Sequence, residues 1–300
     1  MLAGGGGDDF LFGGTGGDSL YGEAGFDLAR YDDATNGVIA SLINPGANFG
    51  EAAGDVYIEI EGLVGSNGLD FLFGNDAANT LYGLGLADYL YGLGGNDTLA
   101  GGDGDDHLLG GAGADTLFGE GGFNFARYDD AVGGVTASLE NAAFNTGDAQ
   151  GDVYSNIAGL VGSGVSDLLA GNSAGNVIYG LEGSDTIFGF LGNDLLIGGG
   201  GVDRFTYTAP NEGLDTIADF VIGQDQINVY GGNFGGIAAG TLSASRFALS
   251  TANQAFGQFL WHAPNSTLYW DADGTGAGAD VALATLSGIS NLTHADIVVL

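Results

Sequence analysis

The sequence predicts an all-β solenoid in which two sheets of short parallel strands wind around a ladder of apolar side chains one residue thick. Three observations predict it. A nine-residue unit, G-G-x-G-x-D-x-U-x with U a large aliphatic residue, recurs in unbroken register. A longer block repeats after 97 residues. The composition joins 61 glycines and a formal charge of -34 to 45% apolar residues, so a highly charged chain still has material for a core.

Residues 1 to 30 hold GGGGDDFLF, GGTGGDSLY and GEAGFDLAR, beginning at Gly4, Gly13 and Gly22. Residues 31 to 64 form a connector whose GVIASL and DVYIEIEGLV stretches read as strands. Residues 65 to 127 carry seven consecutive units, from GSNGLDFLF at Gly65 through GGDGDDHLL at Gly101 to GEGGFNFAR at Gly119. A second connector, 128 to 161, repeats the first: FDLARYDDATNGV recurs as FNFARYDDAVGGV, and GDVY and GLVGS recur with the same offset. Five units fill 162 to 206, and residues 207 to 300 are a β-rich C-terminal region in which FLWHAPNSTLYWDADGTG reads as a hairpin around Pro264, Asn265 and Ser266. The connectors are expected to add wider turns to the same stack.

Within a unit, six glycine-rich residues make a turn that needs positive φ, and three make a strand whose middle side chain points inward. Two units complete a coil. The inward ladder is then Leu72, Leu81, Leu90, Leu99, Leu108 and Leu117, followed in the last run by Leu169, Ile178, Ile187, Leu196 and Phe205. Because alternate units share an edge, carboxylates 18 residues apart stack: Asp9 with Asp27; Asp70, Asp88 and Asp106; Asp97 with Asp115; Asp167, Asp185 and Asp203.

Charge and composition exclude several classes of function. Against 38 Asp and Glu stand four arginines and no lysine, so the chain is repelled by nucleic acid and anionic membranes and has no lysine for a phosphate-binding loop. With no cysteine, neither disulfides nor thiolate metal sites are available. No apolar run approaches bilayer length, and the N-terminus lacks a charged region followed by an apolar one, so export would use a route without a Sec-type signal. Stacked carboxylates and backbone carbonyls suit a hard cation taking six to eight oxygens, which fits Ca²⁺ better than Mg²⁺. The expected ligands are Asp9, Asp18, Asp27, Asp70, Asp88, Asp97, Asp106, Asp115, Asp167, Asp185, Asp194 and Asp203, with backbone from Gly4, Gly13, Gly92, Gly101, Gly110, Gly180, Gly189 and Gly198.

These units resemble the RTX, or haemolysin-type, calcium-binding repeats of bacterial proteins exported by type I secretion, over residues 4 to 30 and 65 to 206. The stretch GGGGVDRFTYTAPNEGLDTIADFVIGQDQINV resembles the junction where such repeats pass into a C-terminal region. The resemblance implies a right-handed parallel β-roll, several Ca²⁺ ions, an extracellular location, and an uncleaved export signal near SNLTHADIVVL read by the type I machinery. Asn79, Asn124 and Asn176 depart at the aspartate position, and Ala77, Leu86, Val165 and Ala174 depart at a turn glycine, so those sites are expected to be weak or empty.

Two features test other functions. GNSAG, from Gly171 to Gly175, matches a hydrolase nucleophile elbow, but it lies inside a nonapeptide, its counterpart is GNDAA with Asp76, and no helical pattern follows. His107, His262 and His294 have no metal-ligand spacing. Phe71, Phe73, Tyr89, Tyr91, His107 and Leu109 form an outward stripe, read either as covered packing or as a docking face for sugars or a cell surface. The sequence therefore points to a secreted, non-enzymatic calcium-binding module that is disordered without Ca²⁺ and folds on binding it. The alternatives are an adhesin or polysaccharide-binding module, or the non-catalytic C-terminal part of a larger secreted hydrolase.

Overall fold

The computed structural model describes residues 1–300, which divide into two compact units: Met1–Ala131 with Asn141–Gly159, and Val132–Glu140 with Leu160–Leu300. The fold is an all-β parallel roll, with helix only as single 3₁₀ turns. No helix is long and apolar enough to cross a membrane.

In the first unit the short strands of the repeats pair with those 18 residues on. Thr80, Thr98 and Thr116 stand in register, as do Leu81, Leu99 and Leu117 on the inward side. Across the core, Phe71–Asn75, Tyr89–Leu93, His107–Leu109 and Phe125–Arg127 repeat the arrangement around Leu72, Leu90 and Leu108. All six of these leucines are fully buried. At about 1.5 to 3 kcal/mol for each buried leucine, the ladder is the main apolar contribution to the roll.

The turns need left-handed backbone. Gly102 and Gly104 supply it at φ 105° and 147°, whereas one coil earlier Leu84 and Leu86 hold φ 82° and 65°. A non-glycine residue there costs about 1 to 2 kcal/mol, so the roll carries local strain where the repeat departs from glycine.

The first connector does more than widen a turn. Its earliest strand, Ile39–Ser41, opens the sheet that continues into Phe71–Asn75. Val56–Ile58 instead closes the sheet behind it, pairing with Ser19–Ala24, while Gly62–Val64 carries the opposite sheet on from Leu28–Arg30 to Thr80–Gly85. The second connector follows suit: Val153–Ser155 closes the sheet of Thr116–Gly121 in the first unit, and Thr136–Ser138 opens that of Leu168–Ala170 in the second.

In the second unit the inward residues Leu169, Ile178, Ile187, Leu196 and Phe205 are again buried. The C-terminal region extends the roll. Gln226–Val229 and then Ile297–Val299 add parallel strands beyond Arg204–Tyr207, and Asp215–Ile217 and Val281–Leu286 add them beyond Leu195–Ile197. The hairpin appears as Gln258–His262 paired antiparallel with Thr267–Asp271. Its core is aromatic: Phe234, Phe259 and Trp270 meet at ring-centroid distances of 4.9 to 5.5 Å.

The outward stripe is half-buried, apart from Leu109, which is buried. Its rings stack on one another, Phe71 on Tyr89 at 4.9 Å, Tyr89 on His107 at 4.5 Å, His107 on Phe125 at 5.3 Å and Phe73 on Tyr91 at 4.5 Å. The ring faces are thereby engaged within the chain, as cross-strand aromatic pairs in a parallel sheet.

Candidate metal centre

The sixth residue of each unit ends the turn just before the strand, and its side chain folds back along the turn instead of pointing to solvent. There it joins a ladder running the length of each run. The backbone N–H of Asp9 donates to Asp27 Oδ1 at 2.8 Å, Asp70 to Asp88 at 2.8 Å, Asp88 to Asp106 at 2.8 Å, and Asp97 to Asp115 at 2.7 Å. In the second unit Asp167 donates to Asp185 at 2.8 Å and Asp185 to Asp203 at 2.9 Å. The expected stacking of carboxylates a coil apart is thus mediated by a peptide N–H, which fixes one oxygen of each carboxylate.

The other oxygen is left over. Oδ2 of Asp9, Asp27, Asp88, Asp97, Asp106, Asp115, Asp185, Asp194 and Asp203 is buried and has no hydrogen-bond partner. None of these nine aspartates is in a salt bridge, and the arginine whose charge reaches them is Arg204, beside Asp203. Burial, reinforced at several sites by neighbouring carboxylates, pushes the Asp88 carboxyl up to about 8, Asp97 and Asp185 to about 7, and Asp106, Asp115 and Asp194 to about 6. An unpaired buried anion is among the costliest groups a fold can hold.

The first glycine of the unit is required by the same side chain. A Cβ at Gly4, Gly92, Gly101, Gly110, Gly180, Gly189 or Gly198 would collide with Oδ2 of the aspartate five residues on. At Gly83 and Gly92 it would also collide with the carbonyl oxygen of Gly101 and Gly110, so a carboxylate oxygen and a carbonyl oxygen crowd the same place beside the turn. At Gly13 the nearest atom is Asp55 Oδ2, 3.2 Å away.

Three expected ligands differ from these nine. Asp70 Oδ2 accepts the Ser66 N–H at 2.6 Å and Asp167 Oδ2 the Ser163 N–H at 2.6 Å, with the serine hydroxyls also donating to each carboxylate. Asp18 lies near the N-terminal ammonium group, 3.3 Å away. At the asparagine positions the amide closes its own bonds: Asn79 donates to the Glu61 carbonyl and Asn124 to that of Gly121. The structure also adds rungs that the repeat pattern did not mark. Asp55, Glu61 and Asp152 accept the N–H groups of Asp18, Asp27 and Asp115, and Asp215 and Asp225 those of Asp194 and Asp203. The recurrence of GDVY was the one available signal for Asp55 and Asp152.

No three acidic or histidine side chains converge on one point. A cation held here would take one carboxylate oxygen from a repeat and its remaining donors from backbone carbonyls. An all-oxygen set without nitrogen or sulfur is the chemistry of a hard divalent ion, so the residues fit Ca²⁺.

Comparison with known proteins bears on this ladder directly. A family model described as the RTX calcium-binding nonapeptide repeat matches four times, at residues 1–29, 63–90, 91–126 and 170–205. Those four segments are RTX calcium-binding nonapeptide repeats. Among solved structures this chain is similar to the extracellular lipase LipA from Serratia marcescens, at 18% identity and a TM-score of 0.22, over 77% of this chain and 40% of the lipase. It is similar also to the AlgE6R3 subunit of the mannuronan C5-epimerase from Azotobacter vinelandii, at 24% identity and a TM-score of 0.17, over 44% of this chain and 77% of the subunit. The chain thus spans less than half the length of the lipase. No curated protein matches the sequence.

The other sequence candidates sit apart from the ladder. Ser173 is exposed and borders a cavity of about 420 Å³ with Glu140, Phe190 and Glu212, and no histidine lines it. The Glu212 carboxylate is occupied by the Thr208 and Ala209 N–H groups. His262 and His294 contact the carbonyls of Ser250 and Leu242. Asp271 Oδ1 accepts the N–H groups of Asp273 and Gly274, and Asp273 Oδ2 that of Gly278, which closes the loop on itself.

Proposed function

We propose that this chain is a secreted module whose roll orders when Ca²⁺ binds and stays unfolded where Ca²⁺ is scarce. The observation that carries this reading is the set of nine buried aspartate oxygens without partners, repeated in register along both units. Asp9, Asp27, Asp88, Asp97, Asp106 and Asp115, and in the second unit Asp185, Asp194 and Asp203, would hold the ions together with turn carbonyls. A bound Ca²⁺ would supply positive charge and accept the orphaned oxygens as ligands. The protein's own groups do the rest: peptide N–H donors fix each Oδ1, first glycines leave room for each Oδ2, and the leucine ladder collapses once the carboxylates no longer repel.

Without the cation, glycine-rich turns lose much conformational freedom on ordering, and a thin core cannot outweigh that together with the buried charge. A polypeptide that remains extended inside the cell suits type I export, with the C-terminal stretch read before it folds. After folding, Ile297–Val299 is a paired strand. The stripe speaks against sugar stacking, because the ring faces a sugar would use are already engaged. The test is a calcium titration followed by far-UV circular dichroism, with Mg²⁺ at equal ionic strength as control. A sigmoidal gain of β signal is expected with Ca²⁺ alone, moved to higher calcium by Asp97→Ala with Asp115→Ala. A fully folded calcium-free protein, or equal folding in Mg²⁺, refutes the reading.

A further inference from the structure

Asp55 and Asp152, one in each connector, are rungs of the ladder with a different second oxygen. Each Oδ1 accepts a peptide N–H like any other rung, from Asp18 at 2.8 Å and from Asp115 at 2.9 Å. Each carboxylate is fully buried. Their Oδ2 atoms are not orphaned. The Tyr31 hydroxyl donates to Asp55 Oδ2 at 2.8 Å and the Tyr128 hydroxyl to Asp152 Oδ2 at 2.7 Å. Behind each stands a second tyrosine, Tyr57 or Tyr154, whose hydroxyl is 2.5 Å from the first. Since the first hydroxyl gives its proton to the carboxylate, the second must donate to the first, and in the later connector Asn145 donates to Tyr154 at 3.0 Å in turn. A relay of neutral donors thus ends on the oxygen that repeat aspartates leave open. The other rim of each connector is closed as well, by Ser66 on Asp70 and Ser163 on Asp167. The arrangement occurs twice, 97 residues apart, with the same atoms in the same roles.

We propose that the connectors are metal-independent caps, in which a tyrosine hydroxyl takes on Asp55 and Asp152 the oxygen that a cation takes on the repeat aspartates. This rests on the calcium reading above and adds to it a rule for which rungs bind. Cation sites are confined to the repeat runs, and the first and second runs each end on a rung that is satisfied by the protein alone. A cap of this kind lets a run terminate without leaving a charged edge, as terminal repeats do in other solenoids.

The test counts ions and follows folding in the full chain. Native mass spectrometry at saturating Ca²⁺ should give Asp152→Asn the wild-type number of bound ions and Asp115→Asn at least one fewer. Loss of an ion in Asp152→Asn overturns the proposal. Tyr128→Phe covers the case in which Asp152→Asn does not fold. It strips the donor from a buried carboxylate, and because the lost charge-assisted bond is shared among several cooperatively bound ions, the calcium midpoint should rise by about twofold. Tyr128→Phe combined with Asp152→Asn should bring the midpoint back toward wild type, since no charge then needs the hydroxyl; a mere packing defect is not rescued this way. An unchanged midpoint in Tyr128→Phe, or failure of the double variant to recover, overturns the proposal. Wild-type protein that ignores Ca²⁺ altogether would instead overturn the calcium reading.

Discussion

Asp97→Asn should stabilise the calcium-free chain and weaken the calcium-loaded one. Asp97 is 1% exposed, its Oδ1 accepts the Asn79 N–H at 2.7 Å, and its Oδ2 has no partner. Keeping it ionised at pH 8, against a native value of about 7 and an ordinary one of 3.8, costs the fold about 4 kcal/mol. Asparagine keeps the acceptor that the ladder needs, as Asn124 does for the Asp106 N–H at 2.8 Å. An unsatisfied neutral amide costs about 1 to 2 kcal/mol, so roughly 2 to 3 kcal/mol should remain in favour of folding without calcium. The assay is far-UV circular dichroism in EDTA at pH 8 with rising trimethylamine N-oxide, which strengthens burial and draws a marginal chain into its fold. The variant should fold at lower osmolyte than wild type, and at saturating Ca²⁺ it should bind at least one ion fewer. A variant that needs more osmolyte than wild type, or one that binds the full number of ions, refutes the argument that the orphaned oxygen is both the apo-state penalty and the cation ligand.

Acidity should substitute in part for calcium. The raised carboxyls mean that the folded chain binds more protons than the unfolded one between about pH 4 and pH 8, so calcium-free stability is present below that window and is lost as pH rises through it; greater β signal at pH 8 than at pH 5 in EDTA would contradict this. Tyr89→Ala with Tyr91→Ala removes three stacked pairs from the stripe and should lower the stability of the calcium-loaded protein by about 1.5 to 4.5 kcal/mol, at roughly 0.5 to 1.5 kcal/mol per aromatic pair. Melting curves check that effect, and unchanged melting with lost binding in a glycan pull-down would mark the stripe as a docking face. Leu84→Gly relieves a left-handed leucine at φ 82° and should reduce the calcium needed for folding, because the relief of about 1 to 2 kcal/mol exceeds the roughly 0.5 to 1 kcal/mol of chain entropy that glycine adds. A rise in the calcium midpoint would count against strain at that turn.

The roll was legible in the sequence because its period fixes the core. Leu72, Leu90 and Leu108 recur every 18 residues with glycine-rich turns between them, and a coil of that length buries them all. The same arithmetic found the aspartate columns but not which oxygens are free. Asp70 and Asp167 occupy the right position and look like Asp88, yet the serine four residues earlier in each already fills the second oxygen. Asp55 and Asp152 were hidden for the opposite reason. They follow their ladder partners by 37 residues instead of 18, because the connector intervenes, and their tyrosines stand 24 residues away in sequence. The crossed strands of the connector were illegible because three-residue strands carry too little pattern to say which neighbour they join. In the C-terminal region the ladder continues through Asp215 and Asp225 at spacings of 21 and 22, enough to break the register by which a repeat is recognised.

Calcium is expected to bind at the orphaned aspartate oxygens. A crystal structure of the calcium-loaded chain, with ions located by their anomalous scattering, tests it most directly. Ions are expected about 2.3 to 2.6 Å from Oδ2 of Asp9, Asp27, Asp88, Asp97, Asp106 and Asp115, and of Asp185, Asp194 and Asp203, with carbonyl oxygens completing each shell. The tyrosine-capped Asp55 and Asp152 should have none. Ions absent from the repeat aspartates, or seated on those two capped carboxylates with the tyrosines displaced, would refute calcium binding at the orphaned oxygens.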